Sequence, residues 1–350
     1  MTDPILVEVT RGPLVESRHR GAIVVVDARG KRRAAIGDVG QAVFPRSAVK
    51  ALQALALVES GAADAYGFGA AELALACSSH NGEPRHVETA ARMLARAGRS
   101  VADLECGVHW PSGEAASAAL IRAGLTPSPL HNNCSGKHAG FVCFACHQGF
   151  DPEGYVRPDH PVQRAITATL ADLTGAGLDE TVRGVDGCSI PTYAIPLDKL
   201  ALGFARFTTG EGLSPIRAAA ARRLADACFA EPLMVAGSGR FCTDAMTLFG
   251  RRVFVKTGAE GVFCAAFPEL GLGVALKCDD GAGRAAETAM AAVIEAFLVP
   301  GLDRGMSEAE RLTFAGRLAP PVLSRRGVKV GEIRAVAGLV ESIRQGTIAE

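Results

Sequence analysis

The first forty residues read as strands, and the opening stretch "MTDPILVEVTRGPLVESRHRG" alternates apolar and polar positions as a strand does. "ILVEVTRG", "GAIVVVDARG" and "RRAAIGDVG" each read as a strand, and the glycine-containing junctions between them suit hairpin turns. From Pro45 the period lengthens, and "SAVKALQALALVESGA" predicts a helix that Gly61 ends. Residues 69–98 read as helix on both sides of a polar break, "SSHNGEP". The Pro-rich stretch "GLTPSPLHNNCSGKHAGF" leads into a helix from about Lys137 to His147. One more helix, the strand "TVRGVDG" and further helices carry the chain to Phe249. Strand patterns then return in "RRVFVKTGAEG", "GVFCAAF" and "GLGVALKCDDG", followed by a helix from about Gly283 to Leu298. "SEAERLTFAGRL" opens with Ser307 and Glu310 at the spacing of a capping box, and "GVKVGEIRAV" reads as a closing strand. The last twelve or so residues are left unassigned.

Strands at both ends with helices between them predict an α+β fold: an antiparallel sheet built from both termini and packed against a helical region. The sheet part spans about 1–45 and 250–335 and the helical part about 46–249. The whole of 1–350 reads as a single catalytic unit. No fixed-period repeat or low-complexity linker interrupts it.

Composition narrows the function. A chain of 350 residues, 48% of them hydrophobic, can bury a large core. Its 37 basic residues balance 37 acidic ones and no long basic run occurs, so nothing in the charge points to nucleic acid. That balance is compatible with a small polar or zwitterionic substrate. No apolar run approaches the ~20 residues of a membrane span. The N-terminal stretch "MTDPILVEVTRG" lacks the basic and apolar regions of a signal peptide. The expected location is therefore cytoplasmic, and the 10 cysteines are expected as thiols or metal ligands rather than disulfides.

Three short motifs occur in one order. "SAVK" places Ser47 three residues before Lys50; "SSHNG" makes an S-x-N triplet of Ser79 and Asn81; "VFVKTGAEG" carries Lys256-Thr257-Gly258 out of a strand. Each alone recurs by chance, but S-x-x-K, S-x-N and K-T-G in that order mark serine β-lactamases and penicillin-binding proteins. The chemistry explains the grouping. A serine hydroxyl needs a base beside it, and residues i and i+3 of a helix share a face. Lysine serves as that base only when its pKa falls well below ~10.4, which burial and a second cation both promote. Lys256 is the candidate second cation, Ser79 a proton relay between the lysines, and the helix start at Ser47 a source of oxyanion-binding N–H groups.

"HNNCSGKHAGF" and "GVDGCSIPTYAIPL" form a second constellation. Two thiolates, Cys134 and Cys188, with a nitrogen donor from Lys137 or His138 could hold zinc and leave one position for water. From spacing alone His138 is the preferred nitrogen. The C-x-x-C of Cys143 and Cys146 lies in an apolar helical run and reads as core.

Taken together, "FPRSAVKALQAL", "SSHNGEPRHVETAARML", "HNNCSGKHAGF", "GVDGCSIPTYAIPL" and "VKTGAEGVFCA" resemble the Rhizobium etli-type L-asparaginases, the class 3 or asparaginase II-like family. The resemblance runs from about residue 5 to residue 335. It implies hydrolysis of L-asparagine to L-aspartate and ammonia, a serine β-lactamase/glutaminase-like fold and a homodimer. It implies Ser47 as nucleophile with Lys50 as its base, and Ser79 with Lys256 as a second Ser-Lys pair. It also implies Cys134, Lys137 and Cys188 as zinc ligands, which moves His138 from the metal toward the substrate. Arg46, Asn133, His138 and Asp186 then fall where substrate contacts are expected. The rival readings are a glutaminase, a β-lactamase-like serine hydrolase and, from another class, a zinc-stabilised amino-acid-binding protein without turnover.

Overall fold

The computed structural model describes residues 2–298 and 305–346. Twelve strands occur among the described residues. The first four are β1 (Ile5–Arg11), β2 (Leu14–Asp27), β3 (Arg32–Ile36) and β4 (Ala42–Val43). β5 (Arg183–Val185), β6 (Pro191–Tyr193) and β7 (Ile195–Pro196) are short. The last five are β8 (Phe254–Thr257), β9 (Val262–Phe267), β10 (Leu272–Cys278), β11 (Pro321–Leu323) and β12 (Lys329–Ala335). Contacts group the chain into two compact units.

The first unit is Met1–Ala48, Ile195–Ala205 and Leu248–Glu350. Its sheet runs β11-β12-β1-β2-β10-β9-β8, with β3 also paired to β2, and every pairing is antiparallel. The expected sheet from both termini is therefore present. β2 serves two environments. Its first half pairs with β1 and alternates in exposure, whereas residues 21–26, between β3 and β10, are all buried. That continuous apolar run is the signature of a strand covered on both faces. The helix Gly283–Phe297 packs on β1, β9, β10 and β12, with Ala289, Val293 and Ile294 buried. Gly273 explains why residues 195–205 join this unit. A Cβ there would fall 2.0 Å from Ala201 O, so only glycine lets the helix Leu197–Thr209 lie on β10.

The expected Ser307–Glu310 capping box forms: the Ser307 hydroxyl accepts from Glu310 N–H at 3.2 Å, and the Glu310 carboxylate accepts from Ser307 N–H at 2.8 Å. The unassigned C-terminal stretch contains a short helix, Leu339–Gln345, anchored by buried Leu339 and Ile343. Its last four residues lie outside the described residues.

The second unit, Val49–Ala194 and Arg206–Thr247, is helical apart from the β5–β6 hairpin. Its centre is the helix Ser135–His147, buried continuously from Ser135 to Ala145. Gly136 allows this: a Cβ there would sit 2.3 Å from Leu75 O of the neighbouring helix Ala70–Ala76. One expectation changes. The helix predicted from Ser47 to Gly61 is a 3₁₀ turn, Arg46–Val49, followed by Lys50–Gln53 and Leu55–Glu59 with a break at Ala54. Gly61, at φ 82°, ends the run as expected. No described helix is long and apolar enough to cross a membrane.

Candidate active site

The first unit holds Arg46, Ser47 and Lys256. Arg46 has φ 51°, a left-handed conformation that costs a non-glycine residue energy and recurs where function fixes the backbone. Ser47 follows it, half-buried. Lys256 lies on β8 opposite Cys264, only 1% exposed, and its Nζ donates to Thr257 O at 3.2 Å. Gly258 brings this strand end to the serine turn, since a Cβ there would meet Pro45 O at 2.6 Å. The S-x-x-K serine and the K-T-G motif thus share one corner of the sheet unit.

The second unit holds Lys50 and Ser79. Ser79 lies in the break between helices Ala70–Ala76 and Pro84–Arg96, where the sequence placed it. Lys50 Nζ donates to Ser79 Oγ at 2.8 Å and to Asn133 O at 3.3 Å. Lys50 is 1% exposed. Burial drives its pKa below the ordinary lysine range, Cys134 works against the fall, and Lys137 adds to it. A buried amine with a lowered pKa, already on a hydroxyl, is placed to take part in proton transfer.

The cysteine constellation forms in the same unit. Asn132 prepares it: its Oδ1 accepts from Cys134 N–H at 2.8 Å while its Nδ2 donates to Cys106 O at 2.8 Å. Lys137 Nζ donates to Cys188 Sγ at 3.0 Å, and Cys134 Sγ lies 3.1 Å from Asn133 Oδ1. Cys188 sits in the turn between β5 and β6, beside Ser189 at φ 75°. Its Sγ lies 3.8 Å from Asp186 Oδ2, and the Asp186 Oδ1 accepts from Gly187 N–H at 2.7 Å. The hydrogen bond from Cys188 favours a thiolate on Cys134; burial opposes it, and Lys50 and Lys137 reinforce it. Burial likewise works against the charge of Lys137, but Cys188, Cys134 and Asp186 outweigh it and raise its pKa. Two sulfurs and one amine, all buried, therefore converge, a donor set that suits zinc. Among the described residues no three His, Cys, Asp or Glu side chains form such a group; this one reaches three donors by counting lysine.

His138, the nitrogen that spacing alone preferred for the metal, is turned elsewhere. Its Nδ1 pairs with Tyr155 OH at 2.6 Å, while Nε2 is buried without a hydrogen-bond partner. Burial and the two lysines hold its pKa well below the ordinary value, so the ring is neutral. Tyr155 and His109 carried no motif and were missed. Tyr155 OH also accepts from Glu105 N–H at 2.9 Å, and His109 Nε2 accepts from Asn133 N–H at 2.9 Å. Both support site residues from distant sequence, which spacing cannot reveal. Cys143 is buried as expected and donates to Met93 O at 3.4 Å; Cys146 is half-buried.

A family model described as L-asparaginase II matches residues 7–335. Among solved structures, a β-lactamase from Mycobacterium bovis is similar over 76% of this chain and 89% of its own, at 15% identity and a TM-score of 0.34. A search of curated proteins found no match to the chain.

Proposed function

The chain belongs to the L-asparaginase II family, and from that membership we propose that it hydrolyses L-asparagine to L-aspartate and ammonia through a seryl ester, as a member of the Rhizobium etli-type class. The observation that carries the mechanism is the buried Lys50 amine on Ser79 Oγ at 2.8 Å, three residues along the chain from Ser47.

In the proposed reaction Ser47 Oγ attacks the side-chain amide carbon of asparagine, and Lys50, whose pKa burial lowers, takes the hydroxyl proton. The C–N bond breaks as a proton passes, by way of Ser79 and Lys256, to the departing nitrogen, which leaves as ammonia. Water then adds to the β-aspartyl ester, returns a proton to Ser47 and releases aspartate. Arg46 has the charge to hold the substrate α-carboxylate, and Asp186 the charge to hold its α-ammonium. The orphaned Nε2 of His138 and the Asn133 side chain are the proposed polar contacts beside them. Cys134, Lys137 and Cys188 would hold zinc, with lysine as the neutral amine. Bound there, the metal would fix the loops of Asn133 and Asp186. A homodimer is the proposed assembly, and light scattering on the 36.3 kDa chain tests it.

The test of the reaction is ammonia release from L-asparagine and, in parallel, L-glutamine, by wild type and Ser47→Ala, with and without zinc. Release from asparagine that Ser47→Ala abolishes supports the reading. Release from glutamine alone would make the enzyme a glutaminase. Asparagine binding without release would make it a binding protein.

A further inference from the structure

The Asn81 side chain, third in the S-x-N triplet, is fully occupied within its own unit. Its Nδ2 donates to Glu83 Oε1 at 3.2 Å and to Ser238 O at 3.1 Å. Its Oδ1 accepts from Arg240 Nη1 at 3.0 Å and from Ser112 Oγ at 3.5 Å. An amide has two donor hydrogens and two acceptor lone pairs, and all four are used. Asn81 therefore has no hydrogen-bonding capacity left for a substrate.

What it holds is the segment 235–240. Ser79 N–H donates to Val235 O at 2.9 Å, in the short helix Pro232–Ala236. Next along the segment, Ser238 donates to Glu83 twice, N–H to Oε1 at 2.8 Å and Oγ to Oε2 at 3.1 Å. Burial works against the Glu83 charge, but these donors outweigh it and keep the carboxylate ionised. Between the two contacts lies Gly237, at φ 110°. A Cβ there would fall 2.7 Å from Asn81 Nδ2, so glycine is required by backbone and by space. Residues 79–83 and 235–240 are thus laced together from one end to the other, and the first lace is the backbone of Ser79.

We propose that Asn81, Glu83, Ser238 and Arg240 are positioning residues that hold Ser79 against Lys50, and that segment 235–240 is the strap through which they do so. The proposal rests on the Lys50–Ser79 reading above. Ser79 has no regular helix or strand of its own to fix it, and a misplacement of ~1 Å costs a reaction about 100-fold. The strap supplies that precision from a remote part of the sequence.

The experiment uses the full chain with Arg240→Ala and Ser238→Ala, the first residue half-buried and the second exposed, so that folding is preserved. Each is measured alone and combined with Ser79→Ala. The expected result is a kcat lower by about 10- to 100-fold with KM within about twofold, partial rescue by Arg240→Lys, and no further loss in the Ser79→Ala background. A crystal structure of Arg240→Ala is expected to show the Lys50–Ser79 contact lengthened from 2.8 Å. An unchanged kcat with that contact intact overturns the proposal. So does a loss confined to KM, which would make Arg240 a substrate ligand, or an equal loss in the Ser79→Ala background, which would make the strap merely structural. If the wild type releases no ammonia, the proposed reaction falls, and the crystallographic contact still decides the positioning role.

Discussion

Gly258 and Pro45 are in contact through their backbones: a methyl group on Gly258 would stand 2.6 Å from Pro45 O. This contact joins the turn of Ser47 to the strand of Lys256. Gly258→Ala must push the two apart. The expected outcome is a loss of stability of about 1–3 kcal/mol, the usual consequence of overpacking, together with a kcat lowered at least about tenfold. Urea unfolding and steady-state kinetics check both. A variant with normal kcat would show that the spacing between these segments does not matter to the reaction.

Lys50 is expected to serve activity at the expense of stability. Its amine is buried and donates to Ser79 Oγ and Asn133 O, and burial outweighs the support that Cys134 gives its charge. Lys50→Met keeps the bulk of the side chain and removes the buried amine. Activity should fall by about 10²–10⁴-fold, the range of a lost general base, while Tm stays level or rises. Calorimetry and ammonia release in parallel test the pair of outcomes. A Tm that drops by many degrees would make Lys50 a structural residue first.

Much of this was legible in the sequence. The strands at both ends were read from their patterns. "HNNCSGKHAGF" and "GVDGCSIPTYAIPL" offered Cys134 and Cys188 with a nitrogen from Lys137 or His138, of which spacing preferred His138 and only the family resemblance Lys137. The helix after Pro45 was less legible. Its apolar spacing fits a continuous helix, whereas the chain tightens to 3₁₀ at Arg46–Val49 and breaks at Ala54, a distinction that hydrophobic periodicity does not carry. The strap was illegible for another reason. "GSGR" at 237–240 reads as an ordinary turn, and its partners Asn81 and Glu83 lie more than 150 residues away, so only the folded chain joins them. Ser79 was found by its motif; what holds it was not.

Acid should weaken the fold through His86. Its Nδ1 accepts from Glu83 N–H at 3.1 Å, its Nε2 reaches Leu233 O at 2.9 Å, and its ring stacks on His80 at 4.8 Å. Burial lowers its pKa; Leu233 O and Glu83 work against that fall, and Arg85 adds to it. The folded chain thus takes up this proton less readily than the unfolded chain, whose histidine titrates near ~6.5. The contribution is fully present above that pH and is lost as the pH falls below it. Urea midpoints at pH 7 and pH 5 should therefore separate more in wild type than in His86→Gln, whose amide can still accept from Glu83 and donate to Leu233. Equal separations in the two proteins would remove His86 from the account.

The proposed metal set gives the last prediction. Lys137 Nζ and Cys188 Sγ are 3.0 Å apart, and Cys134 is within hydrogen-bonding reach of Cys188. These three residues come from the start of one helix and from a hairpin turn 51 residues later. A metal that links them fixes the two segments to each other, and those segments carry Asn133 and Asp186. Elemental analysis of the wild type should find tightly held zinc, which Cys134→Ser and Cys188→Ser should each abolish. Amide hydrogen exchange should then quicken in residues 131–138 and 183–193 while the sheet unit stays protected. For asparagine, KM should rise more than kcat falls, because in the proposed reaction the metal orders the binding loops and Ser47 is the nucleophile. Zinc retained by both variants, or a kcat that collapses while KM is unchanged, would assign these residues a different task.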